Sequence, residues 1–394
     1  MESYDVIVIG AGPGGSGAAK AAAERGLRVL MIEKRQEIGS PKRCGEGLSR
    51  NAAERMCIEP DPIWIRREIK GASVISPNSS RLTIDYKDGP EGWVIERKVF
   101  DKFLAEMASR AGARIIAKTE VVDLLREDGI ISGVELESEA RRWKVKAPLV
   151  IAADGVESRI ARMAGIDTTL KLIDIASGAQ FEMTGVDIDP DRIELYFGTD
   201  IAPGGYVWIF PKGRNIANVG IGVRKPYSKK PAIEYLKEFI ESRPGLKKGS
   251  ILEVNSGGVP VGGLMKNMVT DNLIIVGDAA HQVNPIHGGG ISEAFIGGKI
   301  AGEVAAEAIK VRDCSETFLS RYNDMWWKER GNILKKVEKL RIVTESLSNE
   351  EMDWLADNLK AYDLVEFSKA KGFKMLAKLL MKRPRLVGLA RKLL

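Results

Sequence analysis

The stretch DVIVIGAGPGG, residues 5–15, decides the fold of this chain. It places a largely apolar strand, predicted over Tyr4–Ile9, directly before a glycine-rich turn. In such a turn Gly10 permits the sharp change of direction, Gly12 lets the backbone approach a pyrophosphate closely, and Gly15 lets the following helix pack on the sheet. The stretch therefore predicts the first strand, turn and helix of a dinucleotide-binding unit.

The residues after this turn complete a βαβ pattern. A helix predicted over Ser16–Arg25 begins with free N–H groups and the positive end of its dipole, which suit phosphate groups. A second buried strand, Arg28–Ile32, ends at Glu33, about 20 residues after the turn, where a carboxylate accepts hydrogen bonds from ribose hydroxyls. The alternative is a glycine-rich turn that binds no ligand, and the motif alone does not identify the dinucleotide.

The composition is that of a globular protein with a substantial core. The 394 residues are 44% hydrophobic and 29% charged, and the length favours two or three domains or one core fold with a large insertion. Three cysteines provide no disulfide framework, and no basic leader precedes the first strand, so we expect a cytoplasmic protein. No apolar run approaches the roughly 20 residues that span a bilayer. With only two histidines, His281 and His287, we expect no metal site.

Positive charge is concentrated near the end of the chain. Nine lysines and arginines and no acid lie between Lys369 and Lys392, so the rest of the chain is net negative although the whole carries +6. A helix predicted over Phe367–Leu380 brings four apolar residues near one side: Phe373, Leu376, Leu379 and Leu380. This basic amphipathic segment predicts attachment to an anionic membrane surface, the alternative being an ordinary packed helix with a solvated charged face. Nothing in the pattern favours nucleic acid as a partner.

The segments after the βαβ unit predict a second domain inserted into the first. Alternating stretches at Ala72–Ile75, Arg81–Tyr86 and Gly92–Ile95 predict antiparallel strands of a second sheet, which further alternating stretches between residues 170 and 261 continue. A buried strand at 272–278 returns to the first domain and leads into a small-residue helix, Ile291–Ile309. We expect an α/β fold with a discontinuous nucleotide-binding domain (1–70, 96–165 and 266–310), an antiparallel-sheet substrate domain (71–95 and 166–265) and a helical C-terminal region (311–394).

Two further motifs resemble those of a known fold family. The segment ADGVES, 153–158, resembles the DG fingerprint of flavoprotein hydroxylases, although Ala161 stands where that family has an arginine. The segment 277–290, which begins GDAAH and ends GGG, resembles their GD fingerprint. The chain is therefore similar to FAD-binding proteins of the glutathione-reductase and p-hydroxybenzoate-hydroxylase type. That resemblance implies FAD as the cofactor.

Two shorter motifs narrow the resemblance. The segments KRCGEG, 42–47, and YVWIFP, 206–211, resemble those of geranylgeranyl reductases. The length and the basic C-terminus are most like those of the archaeal digeranylgeranylglycerophospholipid reductases. The resemblance implies an FAD-dependent oxidoreductase that hydrogenates isolated double bonds of geranylgeranyl chains in archaeal-type membrane phospholipid precursors, with hydride from flavin N5.

Such a reaction sets conditions for the substrate site. An unactivated alkene accepts hydride poorly, so protonation toward a tertiary cation would assist, and the double bond must lie about 3–3.5 Å from the flavin with water excluded. Tyr206, Trp208 and Phe210 alternate along one strand and share a face. With Pro211 they are expected to line the substrate cavity, an ordinary core strand being the alternative. Cys44 is the candidate catalytic residue, as a proton donor or redox partner, unless it is only a small apolar side chain.

The family resemblance also implies a set of cofactor-binding residues. Within it Glu33 holds the adenosine ribose, Val121 offers its backbone to the adenine and Asp278 accepts from the ribityl chain. Arg97, which starts a helix predicted to end at Ala111, contacts FAD unless it is a solvated surface arginine. The full set is Gly10, Gly12, Pro13, Gly14, Gly15, Glu33, Lys34, Arg43, Cys44, Gly45, Gly47, Arg97, Val121, Asp154, Gly155, Asp278, Gly288, Gly289, Gly290 and Ile291. For His281 and His287 a structural hydrogen bond is favoured over proton donation.

The sequence leaves alternatives open for the electron donor and for the class of reaction. No second strand–glycine–helix unit offers a nicotinamide domain, so the donor is either NAD(P)H in transient contact or a protein such as ferredoxin. A lipid substrate favours a peripheral position on the inner face of the cell membrane. The runner-up activity is a flavin-dependent monooxygenase or halogenase on the same fold, for which the sequence offers no clear lysine or arginine gate. A non-catalytic electron carrier is the third.

Overall fold

The computed structural model describes residues 2–86, 89–360, 363 and 373–393. Its strands are β1 Glu2–Ser3, β2 Val6–Ile9, β3 Val29–Ile32, β4 Gly47–Ser49, β5 Ile65–Ile69, β6 Gly71–Ile75, β7 Arg81–Asp85, β8 Gly92–Ile95, β9 Arg114–Ile116, β10 Glu120–Glu127, β11 Ile130–Ser138, β12 Arg141–Lys146, β13 Leu149–Ala152, β14 Ile175–Thr184, β15 Arg192–Tyr196, β16 Tyr206–Pro211, β17 Ile216–Arg224, β18 Ser250–Pro260, β19 Val269–Thr270 and β20 Leu273–Ile275.

The helices alternate with these strands at first and then run together at the end of the chain. They are α1 Pro13–Ala23, α2 Arg50–Met56, α3 Arg97–Arg110, α4 Arg159–Met163, α5 Ala232–Glu241, α6 Pro244–Lys247, α7 Ile291–Val311, α8 Glu316–Leu319, α9 Arg321–Trp326, α10 Asn332–Glu345, α11 Asn349–Asn358, α12 Phe373–Leu380 and α13 Val387–Leu393. Single turns of 3-10 helix occupy Gly277–Ala280 and Pro384–Leu386, and a π-helical turn occupies Trp327–Gly331.

A largely parallel sheet carries the opening motif. Its strand order is β19-β20-β13-β2-β3-β9, and β19 alone runs antiparallel to its neighbour in the described sheet. Every residue of β2, β3 and β13 is buried, as expected for strands covered on both faces. The strands β13 and β20 come from far along the chain, so distant segments complete the sheet around β2.

Helices α1 and α7 pack together more closely than side chains would allow. A Cβ at Gly298 would lie 1.9 Å from the carbonyl oxygen of Gly14, and one at Gly302 would lie 2.5 Å from that of Ala18. Glycine is therefore required at both positions of α7 by the backbone of α1. This contact fixes the turn before α1 against the start of α7.

A four-stranded sheet, ordered β1-β12-β11-β10, covers another part of the nucleotide-binding region. The sequence interpretation found β10 but not β11 and β12. In β12 only Val145 is buried and the charged residues point outward, so its alternation is hidden by polar side chains.

The third sheet is antiparallel over most of its width. Its order is β18-β14-β17-β16-β15-β6-β7, with β6 and β15 parallel. One face packs on α5 through a core that contains Phe181, Ile209, Val219 and Leu236. The opposite face is therefore available to the nucleotide-binding region.

The grouping of Gly92–Ile95 with this sheet is wrong. Those residues form β8, which pairs with β4 and β5 in a separate three-stranded sheet and is buried on both faces. Trp93 and Ile95 of β8 pack with Trp64 and with Phe100 of α3. This small sheet joins segments that the expected boundaries at 70/71 and 95/96 would separate.

The C-terminal helices form a separate apolar cluster. Leu376, Leu379 and Leu380 of α12 are 4%, 8% and 0% exposed and pack with Leu340 of α10 and Leu355 of α11. The apolar face expected at a membrane is therefore turned into the protein, in the described part of that helix. The rest of the helix predicted from Phe367, and the side chain of Phe373, lie outside the described residues. Within the described chain no helix is both long and apolar enough to cross a bilayer.

Candidate active site

One large cavity runs from the opening turn to the C-terminal helices. Its volume is about 1290 Å³, and it is lined by residues of the nucleotide-binding sheet, the antiparallel sheet and α10 to α12. All residues expected to bind cofactor or substrate line this cavity except Gly15 and Pro211. Gly15 packs instead on the carbonyl of Gly10, where a Cβ would lie 1.8 Å from the oxygen. Pro211 is buried, and it alternates with Phe210 to the other side of its strand.

At the nucleotide end, the turn contains two glycines that differ in whether the protein leaves space for a Cβ atom. Gly10 has φ +102°, and a Cβ there would lie 2.3 Å from the carbonyl oxygen of Ala153. A Cβ at Gly12 would meet nothing within 4 Å, so the protein itself does not require glycine at this position. The open space beside Gly12, at the N-terminus of α1, fits the pyrophosphate of a dinucleotide.

Glu33 is fixed beside the same turn. Its carboxylate accepts from the backbone N–H of Ala11 at 3.0 Å and from that of Arg35 at 3.0 Å. The backbone of Val121, in β10, lines the adjacent wall. These positions fit the expected ribose and adenine contacts.

Two carboxylates stand in the middle of the cavity. One oxygen of Asp154 accepts from the N–H of Ile160 at 3.0 Å, while its Oδ1 is buried without a partner. Burial raises the pKa of Asp154, and burial likewise raises the pKa of Asp278 to about 6. An unsatisfied buried acceptor calls for a donor that the described protein atoms do not supply. The hydroxyl groups of FAD are such donors, so the residues present fit this cofactor.

The loop before α7 closes this part of the cavity. Gly288 has φ +68°, and the N–H of Gly289 donates to Nδ1 of His287 at 3.1 Å. The carbonyl of His287 accepts from the Tyr206 hydroxyl at 2.8 Å, and burial lowers the pKa of the His287 ring. The ring of His281 is 5% exposed and is held by the carbonyls of Gly263 and Thr168. His281 thus has the structural hydrogen bonds expected of it.

Strand register orders the cavity-facing side of the antiparallel sheet into rows. Tyr206 lies opposite Gly222, Trp208 opposite Gly220 and Phe210 opposite Asn218. The three rings follow one another with centroid separations of 5.8 and 6.4 Å. A Cβ at Gly220 would lie 2.3 Å from the Trp208 ring, so the missing side chain makes room for the indole. Tyr206, Trp208 and Phe210 therefore form a continuous aromatic wall.

The segment Lys42–Gly47, termed the Cys44 segment below, lies against this wall. A Cβ at Gly45 would lie 3.1 Å from the ring of Phe210 and 3.3 Å from Nε1 of Trp208. Within the segment, Sγ of Cys44 accepts a hydrogen bond from the N–H of Glu46 at 3.2 Å. The guanidinium of Arg97, which also lines the cavity, is held by Asp101 through two hydrogen bonds of 2.9 and 2.8 Å. The thiol and the aromatic wall therefore face one space.

Buried charges hold the Cys44 segment in place. The Glu46 carboxylate is 0% exposed and accepts from Lys42 at 3.1 Å, from Lys212 at 2.9 Å and from Asn218 at 2.7 Å. Its other oxygen accepts from the N–H of Arg97 at 2.8 Å. Burial alone would raise the pKa of Glu46, but the two ammonium groups hold it below its usual range. Glu182 joins both lysines, so the cluster ties the segment to β14, β16 and α3.

Beyond the aromatic wall the cavity becomes apolar. Leucines and valines of the C-terminal helices line it, among them Leu340, Val343, Leu355, Leu376 and Leu380. Arg224 lies at the edge of this chamber and is 1% exposed. It pairs with Glu345 through one nitrogen, while its Nε and Nη1 are buried without partners.

Sequence reasoning missed the polar residues that position the wall. Gln180, Glu182, Lys212 and Asn218 were not singled out, and Lys42 appeared only within the KRCGEG motif, although all five are buried or nearly so. One signal was available in β14, where polar Gln180 and Glu182 alternate with apolar Ala179, Phe181 and Met183. Alternation showed a two-sided strand but not that the polar side faces a cavity.

Comparison with known proteins matches two parts of the chain to family models. Residues 174–259 match a family model described as the geranylgeranyl reductase catalytic domain, and residues 5–187 match one described as FAD dependent oxidoreductase. The chain is 45% identical over 390 residues to digeranylgeranylglycerophospholipid reductase 1 of Methanothermobacter thermautotrophicus, covering 98% of this chain and 97% of the relative. It is 46% identical over 374 residues to the digeranylgeranylglycerophospholipid reductase of Methanocaldococcus jannaschii, covering 93% and 94%.

Solved structures show the same relationship. A geranylgeranyl bacteriochlorophyll reductase-like protein from Thermoplasma acidophilum is similar with a TM-score of 0.87 at 40% identity, covering 91% of each chain. The myxobacterial chondrochloren halogenase CndH has a TM-score of 0.70 at 20% identity, covering 85% of this chain and 82% of its own. The likeness to the halogenase is one of fold alone.

Proposed function

Because this chain belongs to the family of digeranylgeranylglycerophospholipid reductases, we propose that it hydrogenates isolated double bonds in the geranylgeranyl chains of archaeal-type membrane lipid precursors. Its cofactor is FAD, which when bound supplies hydride through flavin N5. The observation that carries the proposal is the single cavity in which the nucleotide turn, the aromatic wall and an apolar chamber are continuous.

The aromatic wall is proposed to hold the reacting part of an isoprenoid chain. Tyr206, Trp208 and Phe210 offer broad apolar surfaces to the cavity, and the chamber beyond them has room for the rest of a long chain. Leucines of α12 line that chamber, and their apolar surface is proposed to keep water away from the alkene.

Arg224 is proposed to face the polar part of the lipid. Arg224 lines the cavity, its Nε and Nη1 are buried without a partner, and a buried guanidinium donor without an acceptor is costly. A phosphate or glycerol oxygen of the substrate would accept from these atoms. Substitution Arg224→Lys keeps the charge but removes the planar fork, and we expect weaker lipid binding with FAD retained.

Cys44 is proposed as the catalytic residue. Cys44 lines the cavity, the adjacent Gly45 lies against the Phe210 and Trp208 rings, and we propose that the thiol gives a proton toward an alkene carbon. Single-turnover alkene reduction by Cys44→Ala decides the point, with Cys57→Ala, an exposed thiol elsewhere, as the control. An unchanged rate would remove Cys44 from the mechanism.

The physiological reductant is proposed to be either NAD(P)H in transient contact or a protein such as ferredoxin, since the sequence carries one dinucleotide motif. Anaerobic flavin bleaching by NADH, NADPH and reduced ferredoxin, measured separately, ranks the donors. The fastest donor at equal concentration identifies the class.

A membrane position is proposed on electrostatic grounds alone. Lys374, Lys378, Lys382 and Arg385 are exposed, whereas the leucines of α12 face inward. Each such cation near an anionic leaflet contributes about 1 kcal/mol. These charges favour the inner face of the cell membrane as the place of action.

Vesicle flotation tests the membrane proposal. Binding to vesicles with phosphatidylglycerol should be lost in the double variant Lys374→Glu/Lys378→Glu and kept in the matched control Lys247→Glu/Lys248→Glu, which changes two exposed lysines elsewhere. Equal binding by both variants would exclude the tail as the attachment site.

One assay tests the reaction itself. The holoenzyme is reduced without oxygen, geranylgeranyl lipid is added, and flavin reoxidation is followed together with product mass. A gain of two hydrogens per double bond supports the reductase. Reoxidation that requires oxygen and adds an oxygen atom supports a monooxygenase, and no reaction with any lipid supports an electron carrier.

A further inference from the structure

Gln180 connects two parts of the candidate active site that are far apart in the chain. It is 3% exposed and lies in β14, opposite Gly220 on one side and Asn255 on the other. Its Oε1 accepts from Nε1 of Trp208 at 2.8 Å, and its Nε2 donates to the carbonyl of Cys44 at 3.0 Å. One side-chain amide therefore touches both the aromatic wall and the Cys44 segment.

Both hydrogen bonds depend on the side chain of residue 180 being an amide. An indole N–H only donates and a backbone carbonyl only accepts, so the bridging group needs one acceptor and one donor at the same end. A carboxylate lacks the donor, and an aliphatic side chain lacks both. The two hydrogen bonds therefore require the amide group of Gln180 and not only a side chain of its volume.

The surrounding packing leaves Trp208 few other positions. Its ring lies over Gly220, where a Cβ would be 2.3 Å from the indole, and Gly45 lies against the other part of the wall. The ring is therefore held between a bare backbone and the hydrogen bond from its Nε1. Loss of Gln180 removes this polar restraint on the indole and the restraint on the carbonyl of Cys44 together.

We propose that Gln180 is a positioning residue, which sets the orientation of Trp208 and the place of the Cys44 segment in one step. The proposal rests on the proposed function, since it assumes that the wall holds the alkene and that the thiol lies beside it. Gln180 acts through these two residues. The affinity for the lipid and the position of the Cys44 thiol are then coupled and should change together.

The variant Gln180→Met keeps the length and removes both hydrogen bonds. We expect the holoenzyme to retain FAD, while the single-turnover rate of alkene reduction falls about tenfold or more, because two buried partners lose their hydrogen bond. Site-resolved alkylation of Cys44 by iodoacetamide should change in the same variant, as should lipid affinity. The control Gln36→Glu alters an exposed glutamine outside the cavity and should leave all three measurements unchanged.

The isosteric variant Gln180→Glu separates positioning from plain packing. When ionised, the new carboxylate still accepts from Trp208 but repels the carbonyl of Cys44; when protonated, it donates to that carbonyl and restores the link. Burial raises the pKa of such a carboxyl group, whereas the ammonium groups of Lys42 and Lys212 on the neighbouring Glu182 lower it, and the rate of this variant relative to wild type should rise as the pH falls through the resulting value. The titratable or charged groups on the elements around position 180 are the same in both proteins, so the ratio of rates reports the new carboxyl group. These groups are Lys42, Arg43, Cys44, Glu46, Glu182, Tyr206, Lys212 and Glu253.

The outcomes are distinct. Recovery of both alkene reduction and Cys44 alkylation toward wild-type values in acid supports the coupling. A pH-independent ratio in Gln180→Glu, or a change in lipid affinity with Cys44 alkylation unaltered, overturns it. If Gln180→Met does not fold, the isosteric variant alone decides. Failure of the proposed function gives a different result. Wild type then does not reduce the lipid, although Cys44 alkylation still differs between wild type and the variants at position 180.

Discussion

The two ends of the cavity are built to hold their ligands by opposite means. At the nucleotide end the protein offers backbone: the turn at Gly10–Gly12, the N–H groups at the start of α1, and one carboxylate fixed by backbone donors. At the substrate end it offers side chains, and these are held by buried ion pairs and amides around Glu46 and Gln180. The nucleotide end should therefore be sensitive to added atoms and the substrate end to lost charges.

The largest effect is expected from removing the central charge of the substrate end. Glu46→Leu takes from Lys42 and Lys212 their one fully buried carboxylate and leaves each with two partly exposed ones, and it should destabilise the protein by about 3 kcal/mol in chemical unfolding. Since the pKa of Glu46 is lowered on folding, its stabilisation is present above the ordinary glutamate pKa and is lost as the pH falls through the lowered value. The difference between wild type and variant should thus narrow in acid.

The exposed ion pair of Glu139 with Lys118 provides the control, because Glu139→Leu should leave the midpoint of chemical unfolding almost unchanged. Similar losses at positions 46 and 139 would contradict a special role for the buried cluster.

At the nucleotide end, two neighbouring glycines should separate folding from binding. Gly10→Ala introduces a Cβ at φ +102° and 2.3 Å from a carbonyl oxygen, so we expect a loss of stability of about 2 kcal/mol or more. Gly12→Ala meets no protein atom, so its melting temperature without FAD should equal that of wild type while FAD affinity falls about tenfold. Calorimetry and flavin titration measure the two quantities, and an unstable Gly12→Ala apoprotein would break the comparison.

Asp278 should show a conflict between stability and cofactor binding. Its pKa of about 6 lies above the unfolded value of 3.8, so the folded apoprotein should lose stability as the pH rises between these values. Asp278→Asn should reduce that slope, leaving the part due to the raised pKa of Asp154, and should stabilise the apoprotein at neutral pH by up to about 3 kcal/mol while weakening FAD binding. An unchanged slope in the variant would assign it to another group.

The smallest effect is expected at the junction between the two ends. Tyr206→Phe removes one hydrogen bond to the carbonyl of His287, and we expect about 1 kcal/mol, seen as a several-fold higher KM with FAD retained. Burial raises the pKa of Tyr206, so its hydroxyl stays a donor throughout the working range. Tyr235→Phe, on the far side of the sheet, serves as the control. Loss of FAD from Tyr206→Phe would place this tyrosine in the cofactor site instead.

The contrast also explains what the sequence could reveal. The nucleotide end depends on contiguous residues, so its strand, turn and helix were predicted, and the family comparisons confirm the fold class and FAD. The substrate end depends on pairs such as Lys42 with Glu182 and Gln180 with Cys44, which are 140 and 136 residues apart. No local period marks such pairs. The aromatic wall was predicted because its alternation is local, whereas the inward face of α12 depends on helices that the same sequence pattern does not locate.

The close packing of α1 against α7 has a consequence for synthesis of the chain. Residues 13–23 leave the ribosome early, but the surface that their glycines and alanines fit is formed by residues 291–311. Likewise, the sheet that contains β2 and β3 is complete only after β13 and β20 have been synthesised. The nascent chain must therefore remain without a finished cofactor pocket until about three quarters of it has been made, and flavin incorporation follows translation of α7.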